Sequence, residues 1–148
     1  MVWRYKIGDK TMDAGGRLIE CSCDVRNELN QRRQIDQVVY TIPDHDPYMP
    51  RHFPKGTWKV LSAEPRTAPD RAPYFIATDA YQMVDVWGLD GKGRYTLPNG
   101  DKVRDEGYGL HCSVHSTTLG CIKIHKLEDL EWMVAQVKSG EPITLEVL

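Results

Sequence analysis

The sequence predicts a mainly β domain, a sandwich or partly open barrel with one helix packed on it near the C-terminal end. Three observations predict it. Short segments alternate apolar and polar residues with the period of a half-buried strand. Glycine and proline punctuate those segments at short intervals. One stretch, 127–138, repeats its apolar residues at helical spacing instead.

Val2 to Ile7 sets Trp3, Tyr5 and Ile7 on one face and Arg4 and Lys6 on the other, and Gly8-Asp9 turns the chain. Leu18 to Val25 repeats the pattern, with Ile19, Cys21, Cys23 and Val25 opposite Glu20, Ser22 and Asp24. Cys21 and Cys23 thus fall on the buried side of a strand, where a free cysteine packs as a small hydrophobe rather than binding metal. Ile35 to Ile42 reads as a third strand, closed by Pro43. Residues 43–56 hold Pro43, Pro47, Pro50, Pro54 and Gly56, too much proline for a sheet interior. This predicts a surface connection within one domain, in which Asp44-His45-Asp46 is a proline-flanked turn in preference to a metal loop.

Thr57 to Leu61, Tyr74 to Thr78 and Met83 to Trp87 are short strands rich in aromatic and branched residues. Pro98-Asn99-Gly100 has the composition of a hairpin turn between 95–97 and 102–104. The helix at 127–138 carries its stripe on Leu127, Leu130, Met133, Val134 and Val137, with acidic residues in the first turns and Lys138 in the last, as the helix dipole prefers. Gly140 stops it, Pro142 prevents its resumption, and Ile143 to Leu148 reads as a closing strand.

At 148 residues the chain has the size of a single domain, 1–148, able to bury about two-thirds of its unfolded surface. No apolar run approaches the roughly 20 residues of a membrane span. A net charge of -2 with Lys and Arg scattered along the chain leaves no basic stripe for nucleic acid. The opening Met-Val-Trp-Arg-Tyr-Lys has no apolar core of a secretory signal, which predicts synthesis in the cytoplasm without Sec export. With an adequate core, the four cysteines, Cys21, Cys23, Cys112 and Cys121, are expected to be reduced.

Chemistry concentrates in residues 109–124, Gly-Leu-His-Cys-Ser-Val-His-Ser-Thr-Thr-Leu-Gly-Cys-Ile-Lys-Ile. A zinc site would draw four ligands from His111, Cys112, His115, Cys121 and His125. The spacing argues against one. Gly109, Val114, Thr117, Thr118 and Gly120 disfavour a helix that would bring His111 and His115 together, and on a strand His111 and Cys112 point to opposite faces. Neither a metal nor another cofactor is expected. A cysteine nucleophile needs a nearby imidazole or a field of amides to hold thiolate charge. Thr118-Leu119-Gly120-Cys121 supplies that setting, because a glycine before the nucleophile lets a carbonyl approach and lets amides face a developing oxyanion. Inert core thiols stand as the other reading, and the residues alone leave both open.

Tyr108-Gly109-Leu110-His111, followed by Thr118-x-Gly120-Cys121-Ile122-Lys123-Ile124, resembles the signature of the L,D-transpeptidase (YkuD-like) catalytic domain. Phe53-Pro54-Lys55-Gly56-Thr57-Trp58-Lys59-Val60 is similar to that family's upstream Thr-Pro-x-Gly-x-aromatic strand, and the helix with the strand after it resembles the family's closing elements, so the likeness spans residues 50–148. The separation of His111 from Cys121 is shorter than is usual there, Cys112 replaces a common glycine or serine, and Leu119 replaces a common histidine. Shortened members lacking a signal resemble the phage-encoded and interbacterial-effector branches.

The resemblance implies a β-sandwich or barrel of L,D-transpeptidase type and a thioester enzyme acting on peptidoglycan stem peptides as L,D-transpeptidase or L,D-carboxypeptidase. In it Cys121 is the nucleophile, His111 the base, Gly120 and the Cys121 amide the oxyanion donors, and Thr118 an orienting group. Lys123 stands where the family carries Arg and would steer substrate carboxylates, while Tyr108 and His115 would line the substrate groove. Action in the periplasm or cell wall would then require non-Sec delivery or phage lysis, with a secretion-system, immunity or phage partner. A non-catalytic cell-wall-binding or phage structural module of the same fold, and a zinc-binding domain built on the His/Cys cluster, are the alternatives.

Overall fold

The computed structural model describes residues 1–23, 32–35, 38–41, 53–66, 71–89, 95–113 and 121–148. In β1 (Val2–Tyr5) Trp3 and Tyr5 are buried and Arg4 is exposed, as the alternation predicts. The turn after it closes with the Asp9 amide donating to the Lys6 carbonyl at 2.9 Å. Next come β2 (Thr11–Ala14) and β3 (Arg17–Ser22), joined by Gly15 and Gly16 at φ 65° and 96°, the left-handed pair that a two-residue hairpin requires. The Gly16 amide donates to Asp13 Oδ1 at 2.6 Å.

β4 (Arg32–Ile35) and β5 (Val38–Thr41) pair antiparallel with Gln34 opposite Val39. Of the expected single strand from Ile35 to Ile42, Ile35 ends β4 and Val38–Thr41 form the antiparallel β5, while residues 36, 37 and 42 lie outside the described residues. β6 (Gly56–Pro65) and β7 (Arg71–Thr78) follow, then β8 (Tyr81–Leu89) and β9 (Tyr95–Glu106). β9 passes without interruption through Pro98-Asn99-Gly100, correcting the expected hairpin turn. It belongs to a two-stranded sheet, in which each strand keeps one open edge, and a proline missing its amide donor is tolerated there. β10 (Gly109–Ser113), β11 (Ile122–Ile124), α1 (Leu127–Lys138) and β12 (Thr144–Val147) complete the chain. The Asp44-His45-Asp46 turn lies outside the described residues.

Two units result. The first comprises Met1–Val25, His52–Tyr81 and Glu106–Leu148. In it eight strands close a barrel in the order β1-β12-β6-β7-β10-β11-β3-β2. The pairs β1–β12 and β10–β11 are parallel and the other six are antiparallel. The second comprises Arg26–Arg51 and Gln82–Asp105, and contains the β4–β5 pair and most of the β8–β9 pair. The fold is mainly β with one helix, and closure into a barrel leaves the first unit's sheet without an open edge.

One apolar cluster fills the first unit. Trp3, Ile19, Ile76, Leu110, Ile122 and Leu145 enter it from the strands, and Leu130, Met133 and Val134 from α1, which packs on β6, β7, β10 and β11. Leu127, the first residue of the predicted stripe, is exposed instead. α1 is also held by charge. Arg17 on β3 donates to Asp129 Oδ1 at 2.9 Å, and its guanidinium lies 4.9 Å from the centre of the Trp132 ring. Between Val60 and Ser62 the β6–β7 register slips by one residue, and Leu61 at the slip is exposed.

Candidate active site

The parallel pairing of β10 with β11 sets Leu110 beside Ile122 and His111 beside Lys123. Leu110 and Ile122 are wholly buried, so the alternate residues His111 and Lys123, both half-buried, face out of the barrel. Cys121 immediately precedes β11. It is a partly exposed bend residue, two positions before Lys123. His111 and Lys123 thus share one outward surface, and Cys121 stands at the entrance to β11. Cys112 projects from the opposite side of β10 and packs against the core.

The outward surface continues across the sheet in register, from Glu64 on β6 through Phe75 on β7, His111 on β10 and Lys123 on β11 to Ser22 on β3. Ser22, which the alternation placed among the solvent-facing residues, is buried, and its Oγ lies 2.9 Å from His125 Nε2. The bond ties β11 to β3 on the side away from His111. The Phe75 ring stands 6.1 Å from the His111 ring, tilted by 33°, and Arg66 Cζ lies 4.2 Å from the centre of that phenyl ring. Nδ1 of His111 is closed off from solvent.

Gly109 makes this arrangement possible. A Cβ at that position would come within 3.0 Å of Phe75 Cζ and Cε2 and of the Ile76 carbonyl oxygen, a distance real Cβ atoms essentially never show. The residue before it behaves otherwise than expected. Tyr108 lies in the core, 2% exposed, edge-on to Phe53 with ring centres 5.5 Å apart, while its carbonyl accepts from the Thr78 hydroxyl at 2.6 Å. The expected aromatic lining of a groove therefore loses Tyr108, because the strand parity that turns His111 and Gly109 outward turns residue 108 toward Phe53.

The cysteines fall into different environments. All four are free thiols. Cys21 is fully buried, and burial above all, with neighbouring Cys23 and Asp9 adding to it, pushes its pKa up to about 12. It carries no thiolate at neutral pH and has no nucleophilic chemistry. Cys121 is partly exposed at the mouth of β11. Thr118, Gly120 and His115 lie outside the described residues. Among the described residues no three His, Cys, Asp or Glu side chains are grouped to hold a metal ion.

Phe75, Arg66 and Ser22 were invisible to motif reasoning. Phe75 and Ser22 join this surface through cross-strand register, and Arg66 through its contact with the Phe75 ring. The local signal for Phe75 was an aromatic pair with Tyr74 beside Ile76, which fits core packing equally well. Comparison with family models, with curated proteins and with solved structures finds no match for this chain.

Proposed function

We propose that the protein is a cysteine acyltransferase or peptidase of L,D-transpeptidase type, acting on peptidoglycan stem peptides through a thioester on Cys121. The single observation that carries the reading is that the parallel pairing of β10 with β11 sets His111 beside Lys123, two residues after a partly exposed Cys121. A cysteine nucleophile served by an imidazole base is a pairing that recurs on unrelated folds.

In the proposed reaction the Cys121 thiol gives its proton to His111 and the sulfur attacks an amide carbonyl carbon of the stem peptide. The carbon–nitrogen bond breaks, the proton passes from His111 to the departing amine of the terminal D-amino acid, and the acyl group remains on sulfur. The oxyanion of the intermediate is held by the backbone amides of Gly120 and Cys121, each such donor being worth about 3 kcal/mol in the transition state. Thr118 orients the intermediate or the base. Lys123, beside His111 in register, attracts substrate carboxylates as a point charge without the planar fork of arginine. An amine acceptor then makes a cross-link and water makes a carboxypeptidase.

The test is mass spectrometry of purified muropeptides incubated with the wild type, Cys121→Ala and His111→Ala. The wild type is expected to release the terminal D-amino acid and each variant to lose turnover by a factor of about 10³ or more. Processing of muropeptides by Cys121→Ala would sink the reading.

A further inference from the structure

We propose that Phe75 is a positioning residue for the His111 imidazole, an inference that rests on the reading of His111 as the base. A base must be held within about 10–20° of its productive orientation to work, and a ring packed against it can do so as well as a hydrogen bond. Three contacts hold Phe75. One ring edge fills the space that only glycine at 109 leaves open, with Cζ and Cε2 where a Cβ would otherwise stand. The Arg66 guanidinium lies over the ring at 4.2 Å, a cation–π contact inside the distance at which such attraction acts. β7 pairs directly with β10 there, Phe75 opposite His111, so the backbone fixes the height of one ring relative to the other.

The two rings are 6.1 Å apart and tilted by 33°, within the range of favourable aromatic pairs. The imidazole therefore meets a ring on the β7 side, and Lys123 is the register neighbour of His111 on the β11 side. Phe75 itself need touch neither substrate nor sulfur. Its effect is transmitted through the ring it packs against, and Arg66 acts one step further out by clamping Phe75.

The experiment uses the full chain and four variants: Phe75→Leu, which keeps apolar bulk without the ring, Phe75→Tyr, which keeps the ring, and Arg66→Ala and Arg66→Lys on the surface. Two quantities are read for each, the muropeptide kcat and KM, and the NMR signals of the His111 ring assigned by their loss in His111→Gln. Phe75→Leu is expected to lower kcat between about tenfold and a hundredfold with KM little changed, as small misplacements of reacting groups do. The same variant is expected to shift the His111 ring signals, Phe75→Tyr to restore both quantities, and Arg66→Ala to move both in the same direction by less than Phe75→Leu, with Arg66→Lys between it and the wild type. The proposal is overturned if Phe75→Leu leaves kcat and the ring signals as in the wild type, or if only KM rises, which would make Phe75 a substrate contact. A wild type inactive on muropeptides overturns the acyl-transfer reading itself, whatever the ring signals do, so the two failures are told apart.

Discussion

Gly109 is the residue on which the geometry of the outward surface turns. A methyl group there would meet a phenyl ring, which can swing away, and the Ile76 carbonyl, which is part of the sheet and cannot. Overpacking of that kind costs about 1–3 kcal/mol. Gly109→Ala is therefore expected to lower the denaturant midpoint correspondingly and to displace Phe75, both of which a urea titration and the His111 ring signals would register. Cys21 offers a second check. Its pKa is raised from 9.0 to about 12, so the folded chain keeps a proton that the unfolded chain gives up. The stability this supplies is complete below pH 9 and is lost as the pH climbs toward 12, at up to about 1.4 kcal/mol per pH unit. Cys21→Ala is expected to be flatter than the wild type over that window when unfolding free energy is measured against pH. At this scale the burial of Cys21 was legible in the sequence, since alternation placed it on the inner face of its strand. The sequence could not reveal Phe75 or Arg66, because their roles depend on which residue of another strand each one meets.

Among the elements, α1 was legible to the residue, with Leu127 and Lys138 as its ends, because a single apolar stripe and Gly140 bound it. β2 was not, although Gly15-Gly16 is a recognisable hairpin turn, because Thr11–Ala14 carries one large apolar side chain in four residues and shows no alternation worth the name. β9 misled for the opposite reason: Pro98 and Gly100 are turn residues wherever both edges of a strand must pair, and here one edge is open. The docking of α1 had a charged part that the stripe did not show. Asp129, on the face that turns inward, is held by Arg17, with side-chain exposures of 10% and 41%. Asp129→Ala is expected to cost about 1–3 kcal/mol, the worth of a hydrogen bond between charged groups partly out of water. A double-mutant cycle with Arg17→Ala would isolate the pair from the loss of the Trp132 contact, and additive single effects would show that the bond carries no such energy.

For the whole molecule, a mainly β fold with a C-terminal helix followed from periodicity, while closure into a barrel did not, since no local feature says that the last strand lies parallel to the first. β12 sits between β1 and β6 and supplies Leu145 and Val147 to the core. A chain ending at Ile143 is expected to lose cooperative unfolding altogether, because the gap exposes the edges of two strands at once and removes two buried side chains. Circular dichroism and a denaturant titration would check this, and a sharp two-state transition in the shortened chain would contradict it. The same pairing bears on biosynthesis. Val2 finds its partner in Thr144, nearly the whole chain away, and such distant contacts slow folding because a large loop must close before they form. During synthesis β1 therefore waits for β12, and until then the nascent chain travels with an unpaired edge that a chaperone would have reason to cover.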